Sequence, residues 1–195
     1  QYALLPRCPA MLPISAPLHC HPSTGANAVA ALAVTIARST RGLTLHYCLH
    51  GDLDRIDLPP PGPGGCADGL WRGTCFEAFV AAGTDPAYRE FNFAPSGQWA
   101  DYAFTGYRRR DPAPPPGVRP VIRTVRKNDC LELVAHLDAA QLPVGTLDLG
   151  LTAVVADRGG RCTYWALCHT GDVPDFHRRD SFSLHLPALE PAPDP

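Results

Sequence analysis

Apolar and polar positions alternate with a period of two through most of this chain. Leu43, Leu45, Tyr47 and Leu49 interleave with Thr44, His46, Cys48 and His50, the pattern of a half-buried strand. Leu32, Val34 and Ile36 alternate with small residues just before it, and the turn Arg38-Ser39-Thr40-Arg41-Gly42 joins the two as a hairpin. The densest stretch runs from Leu70 to Tyr107. There Thr74 to Ala81 is almost wholly apolar, which predicts a strand covered on both faces. Phe76, Ala78 and Val80 share one face; Cys75, Glu77 and Phe79 share the other. Tyr88 to Phe93 and Trp99 to Tyr107 follow as two more strands. The turn Ala94-Pro95-Ser96-Gly97 has proline second and glycine fourth, as a type I turn prefers. Further on, Val121 to Lys127 and Cys130 to Leu137 form a hairpin, and Asp138 to Leu142 reads as one helical turn with an N-cap residue first. Leu147 to Val155, Thr163 to His169 and Phe182 to Leu186 complete about nine or ten strands. Long helical periods for parallel crossovers are missing. The expected fold is all-β, an antiparallel β-sandwich of immunoglobulin-like or jelly-roll-like form, with Phe76, Val80, Phe91, Phe93, Leu133, Leu149, Leu151 and Phe182 in its core.

Composition adjusts this picture at the margins. With 195 residues the chain suits one domain able to bury a sizeable core. Its 22 prolines and 17 glycines fit short strands and many turns. Residues 1–27, rich in proline and histidine and without periodicity, read as a tail or an edge-hugging arm. Residues 28–187 form the folded domain, and 188–195 a second tail. Met11 is the sole methionine and is a natural start, with residues 1–10 an upstream extension. The segment from Pro59 to Gly69, with its PPPGPGG run, is expected to be a loop outside any ladder.

A net charge of −2 exerts no general attraction for nucleic acid or anionic membrane. No apolar run approaches the roughly 18 residues a membrane helix requires. Sixteen of the 17 basic residues are arginine, the better bidentate partner for carboxylates and phosphates. The eight cysteines include no CxxC pair and no export signal precedes them, so free thiols and a cytoplasmic location are expected. His19-Cys20-His21 has metal-ligating side chains but no second ligand cluster at a regular spacing, which favours the reading of a tail segment.

Three segments carry a family likeness. At WRGTCFEAFV, YREFNFAPSGQWADYAF and YWALCHTGDVPDFHRRDSF the sequence resembles bacterial DOMON-like proteins, which are relatives of family 9 carbohydrate-binding modules and of haem-binding DOMON domains. The likeness covers roughly Leu43 to Leu186. It implies a sandwich with a ligand site on a concave face or at the strand ends, binding of a sugar or haem, and no catalysis.

The candidate site residues follow from chemistry and from that likeness. Trp71, Trp99 and Trp165 could stack on a pyranose face. Trp71, at a loop–strand junction, is best placed for this, Trp99 reads as core or as ligand contact, and mid-strand Trp165 belongs in the core. Glu77 falls on a strand expected to be buried, where a carboxylate needs a partner. Arg72 or Arg89 is the expected one, with a ligand hydroxyl as the alternative. Glu90 and Asn92 share a face on the next strand and could add acceptors and donors. His169, Asp172, Asp175, His177 and Arg178 crowd one loop, where side-chain-to-backbone hydrogen bonds are the common outcome. His169 and His177 could alternatively ligate haem b or a metal. Arg108-Arg109-Arg110 reads as the solvated base of a loop. No nucleophile elbow, P-loop, dinucleotide fingerprint or HExxH motif occurs. The expectation is a non-catalytic module that binds a carbohydrate or a sugar-containing cell-wall precursor through Trp71, Glu77, Glu90, Asn92, Trp99, His169, Asp175, His177 and Arg178. A haem or metal redox module and a protein-interaction scaffold are the alternatives.

Overall fold

The computed structural model describes residues 11–25, 28–113 and 119–189. Among these, thirteen strands hold the chain: β1 (Ile14–Cys20), β2 (Val29–Ser39), β3 (Gly42–Gly51), β4 (Gly65–Cys66), β5 (Cys75–Ala81), β6 (Tyr88–Phe93), β7 (Gln98–Gly106), β8 (Arg109–Arg110), β9 (Val121–Arg126), β10 (Cys130–Asp138), β11 (Leu147–Ala156), β12 (Cys162–Ala166) and β13 (Leu184–Leu186). Helix is confined to three 3-10 turns, at Leu70–Arg72, Ala139–Gln141 and Arg179–Ser181. The second is the helical turn expected after Asp138. The Asp138 side chain accepts from Ala140 N–H and the Gln141 side chain accepts from Asp138 N–H, a reciprocal cap. No helix among the described residues is long and apolar enough to cross a membrane.

The expected hairpins form, with Leu45 opposite Ile36 and Ala135 opposite both Leu45 and Ile122. The expected two-sheet antiparallel sandwich does not form. One continuous sheet runs in the order β4-β7-β6-β5-β11-β12-β1-β2-β3-β10-β9, with β13 beside β11 and β8 beside β7. It is mixed, because β4 pairs with β7 in parallel, and it curls on itself as a half-barrel around one apolar core. The continuity comes from β1. Its residues Ile14 to Leu18 pair with β2, while His19 and Cys20 pair with Ala166 and Trp165 of β12. One strand thus belongs to both limbs and the sheet bends instead of dividing.

The β1 segment falls within the stretch read as a tail or edge arm; it is internal to the sheet. Two ends serving two different limbs leave no uniform alternation to read. Pro17 is tolerated because β1 has only β2 beside it at that level, so the missing N–H can face the unpaired side. The Pro59–Gly69 segment likewise contains a strand. Gly65 and Cys66 lie just beyond its prolines and pair with Gln98 and Trp99.

The core fills the space between the limbs. Phe76, Val80, Phe91, Phe93, Leu133, Leu149 and Leu151 are all in it, with Trp165, as the alternation predicts. Phe182 is buried too, but on the opposite face of β11, in a second cluster with Phe79, Tyr88 and Phe104. Two polar contacts tie the limbs across the core. Tyr47 on β3 is fully buried, packs 5.0 Å from the Phe76 ring and donates to Glu77 O at 2.7 Å. Arg38 on β2 donates to Pro187 O at 2.6 Å and Gly145 O at 2.7 Å. At the β2–β3 turn a side chain is excluded. Gly42 has φ +135°, and a Cβ there would lie 1.9 Å from Leu137 O.

Removing the Tyr47 hydroxyl leaves the Glu77 carbonyl without its cross-core donor. Tyr47→Phe is expected to cost about 1–2 kcal/mol, and Phe76→Ala about 3–5 kcal/mol, in urea unfolding. A Tyr47→Phe protein as stable as the parent would show that the limbs do not depend on this contact.

Candidate functional site

The same alternation that packs β5, β6, β7 and β11 onto the core gives them a second face. Register lays that face out in rows. Asn92 stands opposite Ala100 and Glu77, and Glu77 opposite Thr152. One row further along, Glu90 stands opposite Tyr102 and Phe79, and Phe79 opposite Gly150. The next row carries Phe104, Tyr88 and Ala81. Two carboxyls and an amide therefore lie among aromatic rings on a sheet face. Gly150 makes room in it: a Cβ there would come 2.8 Å from the Phe182 ring.

Two loops cover this face. The first carries the turn Leu70–Arg72, entered through Gly69 at φ +74°, and holds Trp71 48% exposed. The second runs from Thr170 to Ser181 and is fastened at several points. Thr170 Oγ1 donates to Asp180 Oδ1 at 2.7 Å, Arg178 bridges Asp180 at 2.8 Å, and Arg108 bridges Asp175 at 2.8 Å. Between sheet and loops lies a cleft of about 490 Å³. Glu77, Glu90, Phe79 and Val154 form its floor. Trp71, Arg72, Asp68, Tyr102, Tyr164, Phe176 and His177 form its walls, with Arg108 and Arg110 at the side. The volume is within the range of small-molecule sites.

The polar groups on the floor are wired to one another. Glu90 Oε1 accepts from Asn92 Nδ2 at 2.7 Å, and Asn92 Oδ1 accepts from Cys75 Sγ at 3.4 Å. Glu77 Oε2 accepts from Thr152 Oγ1 at 3.0 Å. His177 is wedged against the rings of Phe79 (5.2 Å), Phe104 (5.0 Å) and Tyr88 (6.0 Å). The Tyr88 hydroxyl accepts from Arg108 N–H at 3.1 Å and lies 2.9 Å from His177 Nδ1. Its own proton is thus free for Nδ1. When the Tyr88 hydroxyl donates to Nδ1, the ring proton of a neutral His177 is on Nε2, facing Glu90 Oε2 at 3.7 Å. At the far wall the Tyr102 hydroxyl donates to Asp68 Oδ1, accepts from Gly69 N–H at 3.3 Å, and its ring lies 4.2 Å beneath Arg110.

Burial sets the charge state. It pushes the Glu77 carboxyl well above its ordinary 4.5, the neighbouring Glu90 charge adds to the rise, and the Thr152 hydroxyl opposes it. Burial also raises Glu90, against the pull of the Asn92 amide and of Arg108 and Arg110. His177 moves the other way, down to about 4, because burial and then the nearby Arg108 disfavour its cation, while Asp175 partly offsets them. A neutral His177 forms no ion pair with Glu90, so their 3.7 Å approach is a polar contact between weakly charged groups.

Of the residues the sequence singled out, Trp71, Glu77, Glu90 and His177 line the one cleft. Asn92 lies fully buried behind Glu90. Asp175 stands at the rim, accepting from Tyr107 Oη at 2.6 Å besides its bridge to Arg108. Trp99 is on the core-facing side of β7, opposite Phe93 and Cys66, and does not line the cleft. Arg178 is directed to Asp180, outside the lining. His169 is also outside; its Nε2 lies 2.8 Å from His19 O and its ring packs against His21 at 4.7 Å. His169 and His177 thus belong to separate hydrogen-bond sets, and no observation favours a haem or metal pair made from them. The His19-Cys20-His21 run does not gather ligands either: His21 Nδ1 lies 2.8 Å from Ser23 Oγ and Nε2 lies 3.1 Å from Gly171 O.

The expected partner of Glu77 is not found: neither Arg72 nor Arg89 bridges it. Arg89 faces the core side, bound to Asp101 and Gln141 O, and Arg72 lies over the Trp71 ring at 5.1 Å. Arg108 and Arg110 are exposed, as read, and they also line the cleft. Asp68, Tyr102, Tyr164 and Phe176 were not singled out. Tyr102 could have been found from its placement opposite Glu90 once β6 and β7 were paired; Asp68, in a proline- and glycine-rich loop, had no comparable signal.

The class defined by fold and site is an all-β protein with a ligand-sized, acid-floored cleft on the outer face of a curled sheet. No protein-family model and no curated protein matches the chain. Among solved structures its fold is similar to that of a "putative carbohydrate-binding protein" from Bacteroides uniformis, with TM-score 0.67 and 17% identity over 86% of this chain and 83% of that one. At that identity the likeness is one of fold. It does not reach the DOMON relation.

The cleft groups should leave opposite marks on stability. Above pH 4.5 the unfolded chain releases glutamate protons that folded Glu77 and Glu90 retain, so their contribution falls as pH rises through their raised folded values. Between about pH 4 and 6.5 the unfolded chain binds a proton at His177 that the folded chain refuses, so that contribution rises with pH. In guanidinium unfolding, Glu77→Gln should gain on the parent as pH rises above the ordinary glutamate range, and His177→Gln should lose the rise on the acidic side. Parallel pH profiles for parent and Glu77→Gln would mean that Glu77 ionises normally.

Proposed function

We propose that the cleft is a non-catalytic binding site for a carbohydrate or a sugar-containing cell-wall precursor. The observation that carries this reading is the half-exposed Trp71 ring at the mouth of a cleft floored by two buried carboxyls. A flat ring suits the C–H face of a pyranose, and convergent polar groups suit its hydroxyls. Glu77 and Glu90, held toward their protonated forms by burial, can donate as well as accept. Neutral His177 and the Tyr102 hydroxyl add to that set. The fold likeness to the Bacteroides protein supports the same class of ligand.

The charge balance of the walls points to an acidic group on the ligand. Arg72, Arg108 and Arg110 line the cleft with Asp68, while burial opposes the negative charge of both glutamates. Asp175 compensates Arg108 alone. A uronic acid or a phosphorylated sugar is therefore expected to bind more tightly than its neutral counterpart, with the difference shrinking as salt rises.

A glycan array followed by tryptophan-fluorescence titration tests the reading. Trp71→Ala should abolish the ligand-dependent fluorescence change and weaken binding at least about tenfold, which corresponds to about 1.4 kcal/mol. Its stability should stay within about 0.5 kcal/mol of the parent, as for surface substitutions generally. Undiminished sugar binding by Trp71→Ala and Glu90→Ala proteins would remove the cleft from the function.

A further inference from the structure

On the other limb, β3 and β10 run antiparallel with their outer faces away from the core. Cys48 and His50, two residues apart on β3, project from the same side of the sheet. His50 stands opposite Cys130 and Cys48 opposite Glu132. Cys48 and Cys130 are therefore diagonal neighbours, with Sγ atoms 3.4 Å apart, and Cys48 Sγ lies 3.5 Å from His50 Nε2. All three ligating atoms fall within 4.8 Å of one another. Cys130 follows the tight turn at Asn128–Asp129, which is fixed by Gly51 N–H donating to Asp129 O at 2.9 Å. The three side chains thus issue from a pinned sheet end, two from one strand and one from its neighbour.

The geometry points to a binding site for a soft, tetrahedral metal ion of the Zn²⁺ class at Cys48, His50 and Cys130, far in the fold from the cleft and independent of what the cleft binds. With metal–sulfur bonds of about 2.3 Å and metal–nitrogen bonds of about 2.0–2.1 Å at tetrahedral angles, ligand atoms stand about 3.4–3.8 Å apart. An S–S edge is about 3.8 Å and an S–N edge about 3.5–3.6 Å in that geometry, so the 3.5 Å Cys48–His50 contact already fits, the 3.4 Å Cys48–Cys130 contact has to open slightly, and the His50–Cys130 edge lies within 4.8 Å. Two thiolates and an imidazole select zinc or monovalent copper over magnesium or calcium, which take oxygen. His50 is exposed, which leaves the fourth position to water. Binding converts both thiols to thiolates, so their protons pass to solvent as the metal–sulfur bonds form. A disulfide is the competing fate of two close thiols. The sulfurs stand 3.4 Å apart, well beyond the roughly 2.05 Å of a disulfide bond, so closing one requires the strands to shift. Bound there, the ion ties β3 to β10 next to the terminal strand β9.

The test is titration of the full, reduced chain with Co²⁺, followed by Zn²⁺ competition. The expected result is sulfur-to-cobalt charge-transfer absorption and tetrahedral visible bands that saturate at a single equivalent and disappear when zinc is added. Zinc should also raise the melting temperature in a concentration-dependent way. Cys48→Ser and His50→Ala should each weaken zinc by more than the roughly 10–100-fold that loss of an outer-shell partner costs. Cys130 is buried, so Cys130→Ser is read alongside His50→Ala, whose exposed side chain can be removed without disturbing the core. Cys20→Ser should leave binding unchanged. Absence of the charge-transfer band in the parent would overturn the assignment. So would its survival in both Cys48→Ser and His50→Ala.

Discussion

The structure depends on burying β5 and β6 on both faces. One face of these strands packs Phe76, Val80, Phe91 and Phe93 into the core, and a sheet in that position cannot leave its other face bare without wetting it. The chain closes the second face with aromatic rings and two covering loops, and it sets Glu77 and Glu90 into that cover. Everything distinctive about the cleft follows. The carboxyls are held toward the neutral form, the imidazole beside them is neutral, and the Thr170–Ser181 loop is fastened by ion pairs at the rim and not at the floor.

That arrangement separates rigid from adaptable parts. The floor consists of ladder-bonded strands whose polar side chains are fixed by neighbours such as Asn92 and Thr152. Much of the walls is loop, Trp71 and Arg72 on one side and Phe176 on the other. Loops displayed on a rigid sheet are where binding groups commonly stand. Solvent-facing arginines supply charge without the desolvation that a buried cation would suffer.

The opposite limb shows the other use of a sheet surface. The outer face of β3 and β10 is half-exposed and carries His46, Cys48, His50, Cys130 and Glu132, linked across the strands. Cross-strand registry is what brings a thiol of one strand within reach of a thiol eighty-two residues away. Spacing along the chain could not have disclosed it, since ligand motifs read in sequence require ligands close together in sequence.

By itself the sequence determined what is local. Period-two alternation located the long strands, separated the Phe76 face of β5 from the Glu77 face, and marked the capped turn after Asp138. It also fixed which residues would be core, because alternation is a direct consequence of one side of a pleated strand being dry. Glu77, Glu90 and His177 were legible as candidates since acids and histidines among aromatics are costly and therefore conspicuous. Only the tertiary structure decided whether two sheets or one would enclose that core, because alternation states that a strand has two faces and not which strand lies beside it. β1 settled the matter by pairing with both limbs. Long-range pairing likewise decided the core side for Trp99, put Phe182 in the second cluster, directed Arg89 to Asp101 instead of Glu77, and brought Arg108 and Arg110 to the cleft. In each case the deciding quantity was the position of a partner distant along the chain.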